Sequence, residues 1–138
     1  MDDTLRTRRD AVIRDHMESE NRKDWEATLA TFDHPHYELI ATGQVFDGRD
    51  DVLGYYHASR SAFPDQRNEI HALHFADDAV IVEFDLLGTH DGEFLGFAPT
   101  HRSFRTRMIA VFEFADDRIT CERVYFDATT ILRQLELL

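Results

Sequence analysis

The residue best placed for chemistry is Asp127, which follows the apolar segment Val124-Tyr125-Phe126 and precedes a short helical pattern. A carboxylate closing such a strand on its apolar face loses hydration, which raises its pKa and suits it to general acid or base work. A structural reading stands beside this one, because aspartate directly before a helix is a favoured N-cap. The two roles are compatible. His90 lies in Gly88-Thr89-His90-Asp91-Gly92, where a strand runs into a turn. A histidine there can orient a substrate oxygen, share a proton, or simply serve the turn. Glu83 and Asp85 fall on the polar side of an alternating strand with Arg105 and Arg107 on the next one, the pattern of a cross-strand ion ladder.

Other chemistries find less support. His71 and His74 are three apart in a strand-like segment, so they are expected on opposite faces, unable to chelate together. His34 and His36 flank Pro35, and no third ligand is identifiable beside them, so no metal is expected. Cys121 is the only cysteine, which excludes an internal disulfide and a cysteine zinc cluster. Lys23, the only lysine, sits in a charged stretch poorly suited to Schiff-base work. No glycine-rich phosphate loop or nucleophile elbow is present. With 15 basic residues against 27 acidic, the formal net charge is −12. That field repels phosphate backbones and anionic lipid heads, so neither nucleic acid nor membrane is an expected partner. Residues 1–17 carry charges throughout and the longest apolar run is Met108 to Phe112, so a cytoplasmic protein without a signal peptide is expected.

The elements that must hold these residues follow from periodicity. The first third of the 138 residues, 43% of them hydrophobic, reads as helices. Leu5, Val12, Ile13, His16 and Met17 recur near helical spacing; Asp24 caps a second helix burying Trp25, Thr28, Leu29 and Phe32, and His34-Pro35 stops it. Tyr37 to Phe46 reads as a strand ending at the Asp47-Gly48 turn. A third helix from about Asp50 aligns Val52, Tyr55, Tyr56, Ser59 and Phe63 before Pro64 ends it. Beyond Gln66 the period becomes two, which predicts strands over 67–75, 79–90, 103–114 and 118–126 and a short helix from Asp127. Helices followed by an antiparallel sheet, without linker or repeat, make residues 1–138 one α+β domain.

A two-residue turn at Asp116-Asp117 would pair Ile119 with Phe114, Cys121 with Phe112, Arg123 with Ala110, Tyr125 with Met108 and Asp127 with Thr106, all on the inner face. Arg105, Arg107, Glu113, Glu122 and Val124 would then face outward. A slip of one residue would reverse that assignment.

The helices, Phe63-Pro64-Asp65, the Gly88–Gly92 strand end, Gly96 with Pro99-Thr100, Asp127 and Gln134-Leu135 together resemble the SnoaL-like polyketide cyclases, or ester cyclases. That family belongs to the nuclear-transport-factor-2-like superfamily, with ketosteroid isomerase and scytalone dehydratase. The resemblance implies a cone-shaped, cystatin-like α+β barrel: a curved, mostly antiparallel sheet wrapped around N-terminal helices and one deep apolar pocket. It also implies homodimers packed through the sheet. It further implies an intramolecular aldol closure of a small hydrophobic carbonyl compound without cofactor or metal. Asp127 matches the family's acid–base residue and His90 its strand-end histidine. Tyr125 and Tyr56 are candidates to hydrogen-bond an oxyanion, and Phe112, Met108, Trp25 and Phe32 are expected to line the pocket. Isomerase, dehydratase and non-catalytic ligand-binding readings share these parts. Two departures stand out: His101 after Pro99-Thr100 and Glu136 after Gln134-Leu135 occupy positions where the family usually has glycine.

Overall fold

A computed structural model describes residues 1–138. The chain runs through α1 (Asp3–Asn21), α2 (Trp25–Ala30), β1 (His36–Leu39), β2 (Gln44–Asp47), α3 (Arg49–Ala62), β3 (Arg67–Phe75), β4 (Ala79–Thr89), β5 (Ser103–Ala115), β6 (Arg118–Tyr125) and α4 (Ala128–Gln134). Asp2 and Asp24 cap α1 and α2 by accepting from the amides of Leu5 and Ala27. The segment expected as one strand over 37–46 is a hairpin, β1 and β2, with Gly43 at φ 74° in its turn. No helix is long and apolar enough to cross a membrane.

The six strands form one curved, unclosed sheet in the order β2-β1-β6-β5-β4-β3. All pairs are antiparallel except β1 with β6, which run parallel. One face is apolar and takes α1, α3 and α4; Ile13, Phe32, Val52, Val80, Val82, Phe112, Ile119 and Leu135 are essentially inaccessible there. The pairing of β4 with β5 sets Val80, Val82 and Phe84 against Phe112, Ala110 and Met108 on this face, as period-two alternation requires. On the outer face Asp85 accepts from Arg105 and Arg107, both at 2.8 Å, and the expected ion ladder is present.

Two β-bulges change which side chains share a face. β6 begins in the expected register, with Arg118 opposite Ala115 and Ile119 opposite Phe114, but Glu113 then pairs with Cys121. Thr120 is the extra residue. Its insertion reverses the parity of the rest of the strand, so Glu122 and Val124 turn inward to 3% exposure each, and Tyr125 turns outward to 44%. The expectation that Cys121, Arg123 and Tyr125 face inward is thereby overturned. A second shift between Ile70 and Ala72 brings His71 to the outer face, where it lies 3.0 Å from Asp85 while His74 lies 2.8 Å from Glu83. The two histidines therefore share a face, each occupied by its own carboxylate.

The loop after β4 is pinned at several points. Gly92 passes so close to α3 that a Cβ would stand 2.0 Å from the Ser61 carbonyl oxygen, so only glycine fits. His101 and Glu136 adopt φ values of 61° and 57°. This left-handed region costs L-residues roughly 1–2 kcal/mol and costs glycine little, which accounts for the family's glycines at both places.

Candidate active site

The helices leave a cavity of about 540 Å³ over the concave face of the sheet, within the range of roughly 300–1,000 Å³ typical of small-molecule sites. Its walls are largely apolar: Met17 of α1, Leu39 of β1, Phe63 directly after α3, Phe84 of β4, Met108 of β5 and Val124 of β6 all contribute. Glu20, Arg60 and Glu122 bring charge to the buried part of this wall, Asp50, Asp51 and Glu93 lie on more open parts of the lining, and Tyr37 and Tyr55 add two phenols.

Behind this polar patch lies His16, fully buried on the inner stripe of α1. Its Nε2 is 3.0 Å from Glu122 Oε1 and 3.4 Å from Glu20 Oε2, and its N–H is in line with neither. On the other side Nδ1 is 2.8 Å from the Thr31 hydroxyl oxygen, and that hydroxyl donates its hydrogen to the Thr28 carbonyl. A hydroxyl so engaged can only accept from Nδ1, so Nδ1 carries a hydrogen. With two carboxylates facing Nε2, the ring is an imidazolium. Burial alone would lower the His16 pKa, but the charges of Glu122 and Glu20 beside Nε2 outweigh it and push it up to about 10. Phe32 and Phe112 pack edge-on against the ring at 5.4 and 5.2 Å and seal it from water.

The two carboxylates are in unequal surroundings. Glu20 also accepts from Arg60 at 3.3 Å. Burial works to raise its pKa, but His16 and Arg60 together hold it below the usual carboxylate range. Glu122 has no arginine of its own, and burial pushes its pKa up despite His16. Environments that drive two neighbouring carboxylates apart in this way mark out one permanent anion and one group able to exchange a proton. Burial also raises Tyr37 and Tyr55, so both phenols remain protonated donors at neutral pH.

The residues singled out from the sequence are placed differently. Asp127 is exposed and caps α4, accepting from the Thr129 amide at 3.0 Å and the Thr130 hydroxyl at 2.9 Å. Those hydrogen bonds, the hydroxyl foremost, lower its pKa, opposite to the expected rise. The bulge at Thr120 is the physical reason, because it ends the apolar series at Phe126 and turns Asp127 away from the pocket lining. His90 is fully buried, but its Nδ1 accepts from the Thr100 amide at 3.2 Å and it packs behind Phe63 and Phe94, outside the lining. Of the expected lining residues, only Met108 reaches the cavity. Tyr56 is stacked on Trp25 at 4.9 Å, Phe112 and Phe32 surround His16, and Tyr125 is on the outer face. Sequence reasoning missed Glu122, Glu20 and Arg60. The available clue was His16 itself, since a histidine in an apolar helical stripe with a glutamate four residues on needs a buried partner.

Two groups of side chains have the composition and spacing of a metal site, His16 with Glu20 and Glu122, and His36 with Glu38 and Cys121. In the first, Arg60 already supplies a cation beside Glu20. The second sets Glu38 and Cys121 beside His36, with Asp47 on the other nitrogen of its ring, so the expectation that no third ligand stands near His36 is corrected: the parallel pairing of β1 with β6 supplies it.

The sequence profile of the SnoaL-like polyketide cyclases matches residues 10–135. No curated protein matches the sequence significantly. Among solved structures, wild-type IdmH from Streptomyces antibioticus, described as a candidate polyketide cyclase, is 26% identical with a TM-score of 0.81, covering 93% of this chain and 98% of its own. AclR from Streptomyces galilaeus, described as a candidate hydroxylase, is 20% identical with a TM-score of 0.80 over 94% of this chain and 85% of its own. A Catenulispora acidiphila protein with a ketosteroid isomerase-like fold, in complex with trimethylamine, is 18% identical with a TM-score of 0.79 over 92% of this chain and 93% of its own. The last two share the fold.

Proposed function

This chain belongs to the SnoaL-like polyketide cyclase family, and we propose that it catalyses acid–base carbon chemistry on a small hydrophobic carbonyl compound, using its own side chains. The observation that carries this reading is Glu122: a carboxylate at the wall of an apolar cavity, raised in pKa by burial and next to the permanent anion Glu20. In the proposed reaction Glu122 takes a proton from the carbon next to a carbonyl, leaving an enolate. The enolate carbon then attacks a second carbonyl of the same molecule, forming the ring C–C bond, and the resulting alkoxide recovers the proton from Glu122. Proton count and oxidation state are unchanged overall. Tyr37 and Tyr55, held protonated, are the donors available to the enolate and alkoxide oxygens. His16 touches no substrate. It is a positioning residue whose fixed positive charge keeps Glu122 from becoming a permanently protonated acid.

Proton abstraction can be tested before the natural substrate is known. Small polyketide-like β-dicarbonyl compounds and aryl ketones are incubated in deuterium oxide, and exchange next to the carbonyl is followed by NMR. The wild type should accelerate exchange saturably, and Glu122→Gln should reduce the rate by roughly 10²–10⁴-fold. Full exchange activity in Glu122→Gln would end the reading.

A further inference from the structure

On the side of the sheet away from the cavity, the parallel pairing of β1 with β6 sets Glu38 beside Arg123 and brings His36, Glu38 and Cys121 onto one patch. Their ligand atoms all lie within 4.8 Å of one another. His36 Nε2 is 2.7 Å from Glu38 Oε2, and that oxygen is 3.8 Å from Cys121 Sγ. A tetrahedral ion bonded to nitrogen, oxygen and sulfur at ordinary zinc distances sets its ligand atoms about 3.3–3.7 Å apart. The Glu38–Cys121 pair already stands close to that spacing, and the His36–Glu38 pair reaches it by opening about 0.6–1 Å. The second observation is the other ring nitrogen. His36 Nδ1 is 2.9 Å from Asp47 Oδ1, and the same oxygen is 3.1 Å from His34 Nε2. A carboxylate behind a histidine fixes the ring and directs Nε2 at the ion, the arrangement found around ligating histidines generally.

We propose that His36, Glu38 and Cys121 form a zinc-type site for a divalent cation, with Asp47 orienting His36. Cys121 is buried, whereas the side chains of His36 and Glu38 are 26% and 28% exposed. The ion therefore enters from solvent over the sheet edge and keeps water in its fourth position, as open zinc sites do. Arg123 is the one neighbouring cation, with Nη1 3.6 Å from Cys121 Sγ. The same nitrogen donates to Glu113 Oε1 at 2.9 Å, so the guanidinium has a carboxylate to retain when the sulfur is taken. The site is separate from the cavity and independent of the proposed reaction.

Cobalt(II) reports on it directly, since a thiolate ligand produces a near-ultraviolet charge-transfer band. Titration of metal-free wild-type protein should give a band that saturates at one equivalent and disappears on adding zinc. The band should be absent from Cys121→Ser and from His36→Gln, a change at a part-exposed side chain that the fold tolerates. Asp47→Asn should retain the band with cobalt affinity reduced roughly 10–100-fold. Absence of a thiolate band in the wild type, including cobalt binding without one at the His16 cluster, would overturn the proposal. So would a wild-type band that survives His36→Gln.

Discussion

Replacing Glu122 with Gln should flatten the stability of this protein against pH on the alkaline side. His16 is fully buried and keeps its proton because Glu122 and Glu20 overcome the burial that would strip it, which carries its pKa from 6.5 to about 10. In the unfolded chain the ordinary value returns. Above about pH 7.5 the unfolded histidine is neutral while the folded one remains charged, so the folded state binds one more proton. Stability from this residue is therefore complete below pH 6.5 and is lost as pH rises through about 10. Within that window the slope is about −1.4 kcal/mol per pH unit, so the wild type should lose roughly 2 kcal/mol between about pH 7.5 and 9. Glutamine is nearly isosteric with glutamate and carries no charge. In Glu122→Gln only Glu20, already engaged by Arg60, opposes burial, so the His16 pKa falls and the slope over that interval should shrink. Denaturant unfolding at a series of pH values measures both slopes, and the NMR shift of the His16 ring checks the assignment. The ring should not titrate in wild type below about pH 9, and should titrate at lower pH in the variant. Equal slopes in the two proteins, or a flat wild type, would refute the buried imidazolium.

Two shorter tests address the remaining placements. Asp127→Asn should leave both unfolding temperature and exchange activity in place, whereas Asp127→Ala should lower the midpoint by about 4 °C through loss of the α4 cap; a loss of exchange activity in the Asn variant would return Asp127 to the chemistry. Self-association is proposed through the outer sheet face, where Ile109 and Tyr125 lie directly opposed and are 39% and 44% exposed. Sedimentation should then give twice the mass of one chain, and Ile109→Arg should give a single chain.

Much of this molecule was legible locally. The Asp24 cap and the switch to period two beyond Gln66 each depend on residues within a few positions of one another, and β3 to β6 fall within one residue of their expected bounds, whereas α2 ends at Ala30, short of the expected stop at His34-Pro35. The alternation on β4 and β5 placed Asp85 with its arginines because that pairing has no irregularity. His101 and Glu136, which stand where the family usually has glycine, are both in the left-handed region that favours glycine.

The site was not legible, and the reason is parity. A strand's faces follow from counting by twos, and one inserted residue, Thr120, reverses the count for everything after it. Nothing in Ile-Thr-Cys-Glu marks which residue is the insertion, and the register shift appears only in the pairing of β6 with β5. That reversal exchanged Asp127 for Glu122 in the pocket wall. The partners came from far away as well: His16 and Glu20 arrive on α1, and Arg60 on α3, which only helix packing over the sheet can bring together. Element types and the apolar face were thus determined by the sequence through local spacing, whereas the identity of the buried acid was decided by tertiary register, where a single residue's displacement outweighs every local preference around it.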